Sequence, residues 1–158
     1  LHMLGAIEKP DEGEIILNGK RIDNYSKRLL YRDEIGFLFQ NFALVENKTV
    51  LENLSFVKRE SRTAVSLQRA LEEVGLTKMA KKKVYQLSGG EQQRVALARL
   101  MIKKCSVILA DEPTGSLDEK NSEIVIEQLN RLNKQGKTIC MVTHNMKYRD
   151  IGTMHVQL

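Results

Sequence analysis

Two carboxylates stand side by side at Asp111-Glu112, directly after the apolar run Val107-Ile108-Leu109-Ala110. An apolar strand ending in paired acids delivers them at the carboxyl end of a sheet, where open α/β sheets place their ligands. One such carboxylate can hold Mg²⁺, which prefers few carboxylates and keeps several waters, and its neighbour can act as a general base toward water. Acidic residues that merely open a loop and cap the next helix fit the same dipeptide. The second chemical group is Ser88-Gly89-Gly90-Glu91-Gln92-Gln93-Arg94, followed by an apolar helical pattern. Adjacent glycines let backbone N–H groups approach an anion, and a helix that starts there turns its positive end toward it. Ser88, Gly89 and Gly90 are therefore candidate phosphate ligands. Ser88 and Glu91 also have capping-box spacing, as do Ser116 and Glu119 around Asp118, and these structural readings coexist with the functional ones. Gln40 and His144 each follow an apolar run, Ile35–Phe39 and Thr138–Val142; a lone histidine is more often structural than functional.

The elements that must carry these residues follow from pattern. Glu14–Leu17 reads as a short strand closing on Asn18-Gly19, a pair whose tolerance of positive φ favours a hairpin. Ser26–Glu34 has helical spacing, Ile35–Phe39 is a buried-strand candidate, and Gln40–Lys48 is polar and irregular. From Thr49 to Lys104 the pattern is helical almost throughout, with Gly75 a helix stop. A strand at Ser106–Ala110, a helix from Asp118 to Asn133 ended by Gly136, a strand at Thr138–Val142 and a last strand at Met154–Leu158 complete the chain. Strand, helix, strand in that rhythm implies a parallel α/β sheet, with a helical lobe of roughly 60 residues inserted in it.

The whole string Leu87-Ser88-Gly89-Gly90-Glu91-Gln92-Gln93-Arg94-Val95-Ala96-Leu97-Ala98-Arg99 resembles the signature motif of the ABC transporter ATPases. Lys9-Pro10-Asp11-Glu12-Gly13 and Asn18-Gly19-Lys20 are similar to the same family, so the resemblance covers essentially the whole chain. It is nearest to the small ATPases of lipoprotein-releasing, macrolide-exporting and bacteriocin-exporting systems, judged mainly from Gly36 to Asn53. The resemblance implies a P-loop NTPase-like parallel sheet core, residues 1–40 and 105–158, with an inserted helical subdomain, residues 41–104, that carries the signature. It implies ATP and Mg²⁺ as ligands. Asp111 would be the Walker B carboxylate on Mg²⁺, Glu112 the general base, His144 the switch histidine on the γ-phosphate, and Gln40 the glutamine that senses Mg²⁺ and the attacking water. Ser88, Gly89, Gly90 and Gln92 would contact ATP across a head-to-tail dimer, and Asp118 would mark the D-loop at that interface. Membrane permease subunits, a second ATPase domain and a cytoplasmic site at the inner face of the membrane are the implied setting.

Composition narrows the alternatives. The chain has 158 residues, 42% hydrophobic and 28% charged, which suits one globular domain and not a disordered one. Its apolar runs are far shorter than the roughly 18 residues that span a bilayer. Cys105 and Cys140 have no metal-type spacing and suit a reducing compartment. A net charge of +5 reads as a solvated basic face, and no direct nucleic-acid contact is expected. A soluble ABC ATPase acting on nucleic acid or the ribosome, and a non-hydrolytic regulatory module, are the competing readings. No Gly-x-x-x-x-Gly-Lys-[Ser/Thr] occurs in the sequence. We therefore expect an N-terminally incomplete domain whose phosphate loop precedes Leu1, an apolar sheet edge exposed where that strand would lie, and poor ATP binding by these residues alone.

Overall fold

The computed structural model of the chain describes residues 1–156. It opens on an antiparallel hairpin of β1 (Ile16–Leu17) and β2 (Lys20–Arg21), turned by Asn18 at φ 50° and Gly19 at φ 75°. Two successive positive φ values match the right-handed twist of the flanking strands, as the Asn-Gly pair predicts. The helical spacing of 26–34 yields α1 (Lys27–Leu29) followed by a π-turn, Leu30–Glu34. The Lys103 ammonium donates to the carbonyl oxygens of Tyr31, at 2.6 Å, and Ile35. Burial pushes the Lys103 pKa down.

The central sheet is parallel, in the order β3 (Ile35–Leu38), β4 (Val107–Asp111), β5 (Thr138–Val142). Ile35 pairs with Val107, Val107 with Thr138, and Asp111 with Val142. This register aligns the carboxyl ends of β4 and β5, so whatever follows them meets beyond one edge of the sheet. Gly36 lies in β3 because α4 (Gly89–Ile102) crosses close over it. A Cβ at Gly36 would come within 2.6 Å of Leu100 Cδ2 and 3.1 Å of Cys105 Sγ.

The long helical pattern of 49–104 is divided by its own caps. It forms α2 (Val50–Ser55), α3 (Leu67–Glu73) and α4, joined by 3-10 turns. Thr49, Ser66 and Ser88 each accept from the backbone N–H three residues on, which starts a new helix each time. Gly75, at φ 69°, ends α3: its N–H reaches Glu72 O and that of Leu76 reaches Leu71 O, a Schellman closure. The helix α5 (Glu119–Lys134) ends in the same way at Gly136.

One apolar core runs from Leu38 through Leu54, Leu71 and Leu97 to Ile108 and Leu129, so α4 is buried between the sheet, α5 and the shorter helices. A smaller cluster of Ile22, Leu30, Ile35 and Leu109 lies under the hairpin. β5 pairs with β4 alone among the described residues, and Ile139 to Val142 are half-buried where Ile108 and Ala110 of β4 are fully covered. The expected last strand does not form over its described part. Residues 154–156 are irregular, and Met154 and Val156 are 82% and 76% exposed, so their apolar side chains find no neighbour to pair against. Gln157 and Leu158 of that expectation lie outside the described residues.

Candidate functional site

Glu112 is placed by the end of β4 in the left-handed region, φ 43°. A non-glycine residue there carries strain of order 1 kcal/mol or more that its surroundings must hold. Its N–H donates to Val142 O at 3.0 Å, and its carbonyl accepts from Gly115 N at 3.0 Å. The conformation turns the carboxylate toward the end of β5. There Oε1 accepts from His144 N at 2.7 Å, and Thr143 Oγ1 donates to Oε2 at 3.4 Å. The His144 imidazole Nε2 stands 3.7 Å from the same Oε1. The Glu112 side chain is 18% exposed and that of His144 97%, so the carboxylate is held while the ring stands free to meet an incoming group. Two donors aimed at one carboxylate fix its orientation beside the end of β5.

Gln40, Asp111, Gly89 and Ser116 line one cavity of about 710 Å³, bordered by Phe39 and Phe42. Gly115 joins this cavity to Glu112: a Cβ there would lie 3.4 Å from Glu112 Cβ and 3.5 Å from Gln40 Nε2. The donor set is one carboxylate and one amide oxygen, with no group of three or more His, Cys, Asp or Glu together among the described residues. That set fits Mg²⁺, which is held by one or two carboxylates together with phosphate oxygens and water, and does not fit an all-protein cage.

Ser88 caps α4 in a complete capping box, with Glu91 N donating to Ser88 Oγ at 3.3 Å and Ser88 N to Glu91 Oε2 at 2.8 Å. The structural reading of this pair is thus realised. It leaves the first-turn N–H groups of Gly89 and Gly90, which have no partner inside the helix, for another acceptor. Gln92, in the same first turn, donates from Nε2 to Leu87 O at 3.1 Å. Asp118 caps α5, Oδ1 accepting from Asn121 N at 2.8 Å and Oδ2 from Asn121 Nδ2 at 2.6 Å. Those two bonds hold its carboxyl below the usual carboxylate range. The Ser116–Glu119 box does not form; Asp118 is the cap instead.

Three further residues shape the site and were not singled out from sequence. Gln93, fully buried, donates from Nε2 to Pro113 O at 2.8 Å and so ties α4 to the turn after Glu112. Arg99 donates to Ala43 O at 2.7 Å and Phe42 O at 3.3 Å, holding two consecutive residues at positive φ just after Gln40. Asn53 bonds to both backbone groups of Val45 in the same loop. Gln93 and Arg99 belong to the signature string, where the glycines draw the eye; Asn53 sits on an ordinary amphipathic helix. The only signal for any of them is a polar residue on an otherwise buried helix face.

A family profile described as ABC transporter matches residues 1–115. The chain is 40% identical over 150 residues to a macrolide export ATP-binding/permease protein, MacB, of Bdellovibrio bacteriovorus, covering 91% of this chain and 23% of that protein. It is 36% identical over 159 residues to the lipoprotein-releasing system ATP-binding protein LolD of Aquifex aeolicus, covering 96% of this chain and 71% of the relative. Among solved structures it is similar to the dimeric, post-hydrolysis ATP-binding cassette MJ0796 bound to ADP and Pi. That likeness has a TM-score of 0.76 and 37% identity, and covers 92% of this chain and 68% of that one.

Proposed function

This chain belongs to the ABC transporter family of ATP-binding domains, and on that premise we propose that it belongs to an ATP-hydrolysing subunit that powers export through separate membrane permease subunits. The observation that carries the proposal is the meeting of Asp111-Glu112 and Thr143-His144 at the carboxyl ends of adjacent parallel strands, beside the cavity lined by Gln40 and Gly89. In this reading Glu112 accepts the proton of the water that attacks the γ-phosphate, and His144 supplies a donor to that phosphate from its exposed ring. Asp111 and Gln40 hold Mg²⁺, which when bound neutralises charge on the phosphate oxygens. The N–H groups of Gly89 and Gly90 bind phosphate oxygens of a nucleotide shared with a second copy of the domain, arranged head to tail. The dimeric cassette of similar fold supports such a pairing. Gln92 and Asp118 orient the signature and the D-loop through the backbone groups they cap. Residues 41–104 form the helical subdomain of this reading and residues 1–40 with 105–158 the core, α4 being packed against both.

Export is favoured over import because relatives named for lipoprotein release and macrolide export share 36–40% of the sequence. The proposed working place is the cytoplasmic face of the membrane; no helix among the described residues is long and apolar enough to cross it. Without a Gly-x-x-x-x-Gly-Lys segment among them, these 158 residues by themselves are proposed to bind ATP poorly. The test is Glu112→Gln in the full-length protein, followed by phosphate release and sedimentation with and without ATP. Gln can still accept from His144 N, so folding is kept while the base is lost. Turnover is expected to fall by about 10²–10⁴, the usual share of a general base, with dimers accumulating in ATP. Equal turnover in variant and wild type would remove Glu112 as the base.

A further inference from the structure

The second glycine of the signature, Gly90, faces a side chain from another element. A Cβ at Gly90 would lie 2.6 Å from Asn121 Cγ, 2.7 Å from Nδ2 and 2.9 Å from Oδ1, closer than non-bonded carbon atoms approach. Such a clash is harmless when the neighbour is a mobile side-chain tip. Here it is not. Asn121 Nδ2 donates to Asp118 Oδ2 at 2.6 Å, its backbone N–H donates to Asp118 Oδ1 at 2.8 Å, and its Oδ1 accepts from Arg94 Nη1. Both polar atoms of the carboxamide are committed, one to the cap of α5 and the other to the second turn of α4. Arg94 Nε is buried without a hydrogen-bond partner among the described residues, so the bond to Asn121 is what orients this guanidinium.

We infer that Asn121 is a positioning residue that locks the start of the signature helix to the D-loop cap, and that Gly90 must lack a side chain because Asn121 occupies its place. The inference rests on the proposed ATP-dependent pairing, since Ser88–Gly90 and Asp118 are there presented together to a nucleotide and a second copy. With Asn121 in place, the two segments move as one body. Without it, Arg94 and Asp118 each lose a partner, and the spacing between the signature turn and the D-loop is set by the apolar packing of the two helices and the bond from Gln93 Nε2 to Pro113 O. Asn121 touches neither the Glu112–His144 pair nor the cavity lined by Gln40 and Asp111, so its loss weakens closure without changing the base.

The experiment uses full-length protein carrying Glu112→Gln, so that ATP-dependent dimerisation is read without turnover. Adding Asn121→Ala is expected to raise the ATP concentration for half-maximal dimerisation by about tenfold, with the melting temperature of the nucleotide-free protein changed by no more than a few degrees. Gly90→Ala on its own is expected to do at least as much harm. Gly90→Ala together with Asn121→Ala is expected to be no worse than Asn121→Ala alone, because the space is then free; this non-additivity is the signature of two groups in contact. Half-maximal ATP unchanged by Asn121→Ala would overturn the proposal, as would a double variant whose loss is the sum of the two singles. An Asn121→Ala protein unfolded at the assay temperature would also overturn it, since Asn121 would then be structural. If the Glu112→Gln parent itself does not dimerise with ATP, the failure belongs to the functional reading and not to Asn121. In that case Asn121→Ala still has to speed hydrogen exchange, in the nucleotide-free protein, at the N–H of Gln92, which bonds to Ser88 O in the first turn of α4, and a rate equal to that of the parent would sink the lock.

Discussion

The loop that follows Gln40 is held at its far end by Asn53, which is fully buried on α2. Its Oδ1 accepts from Val45 N at 2.8 Å, and its Nδ2 donates to Val45 O at 3.1 Å and Thr49 O at 3.0 Å. Asn53→Ala removes all three bonds, yet not all three leave an orphan. Thr49 O still accepts from Asn53 N at 3.0 Å, and Val45 O from Lys48 N at 3.1 Å. Only Val45 N–H loses its partner, at a residue 47% exposed and so within reach of water. The unmade bond then costs about 1–2 kcal/mol and the carboxamide-sized void about 1 more, a total of about 2–3 kcal/mol. For a chain of this size that is a melting point lower by about 5–10 °C. Asn53→Asp tests the same geometry differently. It keeps the acceptor for Val45 N but sets an anionic oxygen against two carbonyl oxygens, which raises the folded-state pKa of the new carboxyl above its unfolded value near 4. The folded state then binds more protons between those two values, so the variant is nearest to wild type below about pH 4 and loses stability as pH rises through the raised pKa. Urea unfolding at several pH values reads both effects. A midpoint for Asn53→Ala within experimental scatter of wild type, or an Asp variant that gains stability as pH rises toward neutrality, would refute the reasoning.

Two more outcomes are expected. Arg99→Lys replaces a fork that spans Ala43 O and Phe42 O by a point charge able to serve one of them, so the left-handed pair at 42–43 is released. Amide hydrogen exchange at residues 42–45 is expected to speed up by about tenfold, corresponding to about 1.4 kcal/mol, while exchange in β4 is unchanged. Glu52 completes the capping box of α2, and its bonds to the backbone and side chain of Thr49, with Lys48 beside it, hold its carboxyl at about 2. A depressed pKa stabilises the fold fully above the ordinary carboxylate value and loses that contribution as pH falls toward 2. The melting-point difference between wild type and Glu52→Gln should therefore shrink over that interval, and a constant difference from pH 5 to 2 would contradict the assignment.

Much of the molecule was legible in the order of residues because its signals are local. Asn18-Gly19 demands two positive φ values, Gly75 and Gly136 end helices in the left-handed region, and Ser88 with Glu91 satisfies the orphan N–H groups of its own helix. The apolar runs before Asp111 and His144 are short enough to be strands alone. Each depends on neighbours within four residues or so, and survives whatever packs around it. Local pattern failed where the outcome depends on a partner. Met154 and Val156 resemble part of a strand but stay exposed and do not pair with the outer edge of β5, and the helical stretch of 49–104 is broken wherever a cap competes with periodicity.

The sequence by itself determined which chemical groups this protein owns and where along each strand or helix they fall, since strand ends and caps are short-range choices. Only the tertiary structure decided that Glu112 leans on the backbone of His144, that Arg99 and Asn53 hold the loop after Gln40, and that Asn121 fills the space beside Gly90. Those contacts join residues 31 to 57 positions apart, or eight between the loop and α2. No period or spacing encodes them, because they come into being only when the parallel register and the crossing of α4 over the sheet bring the chain back on itself.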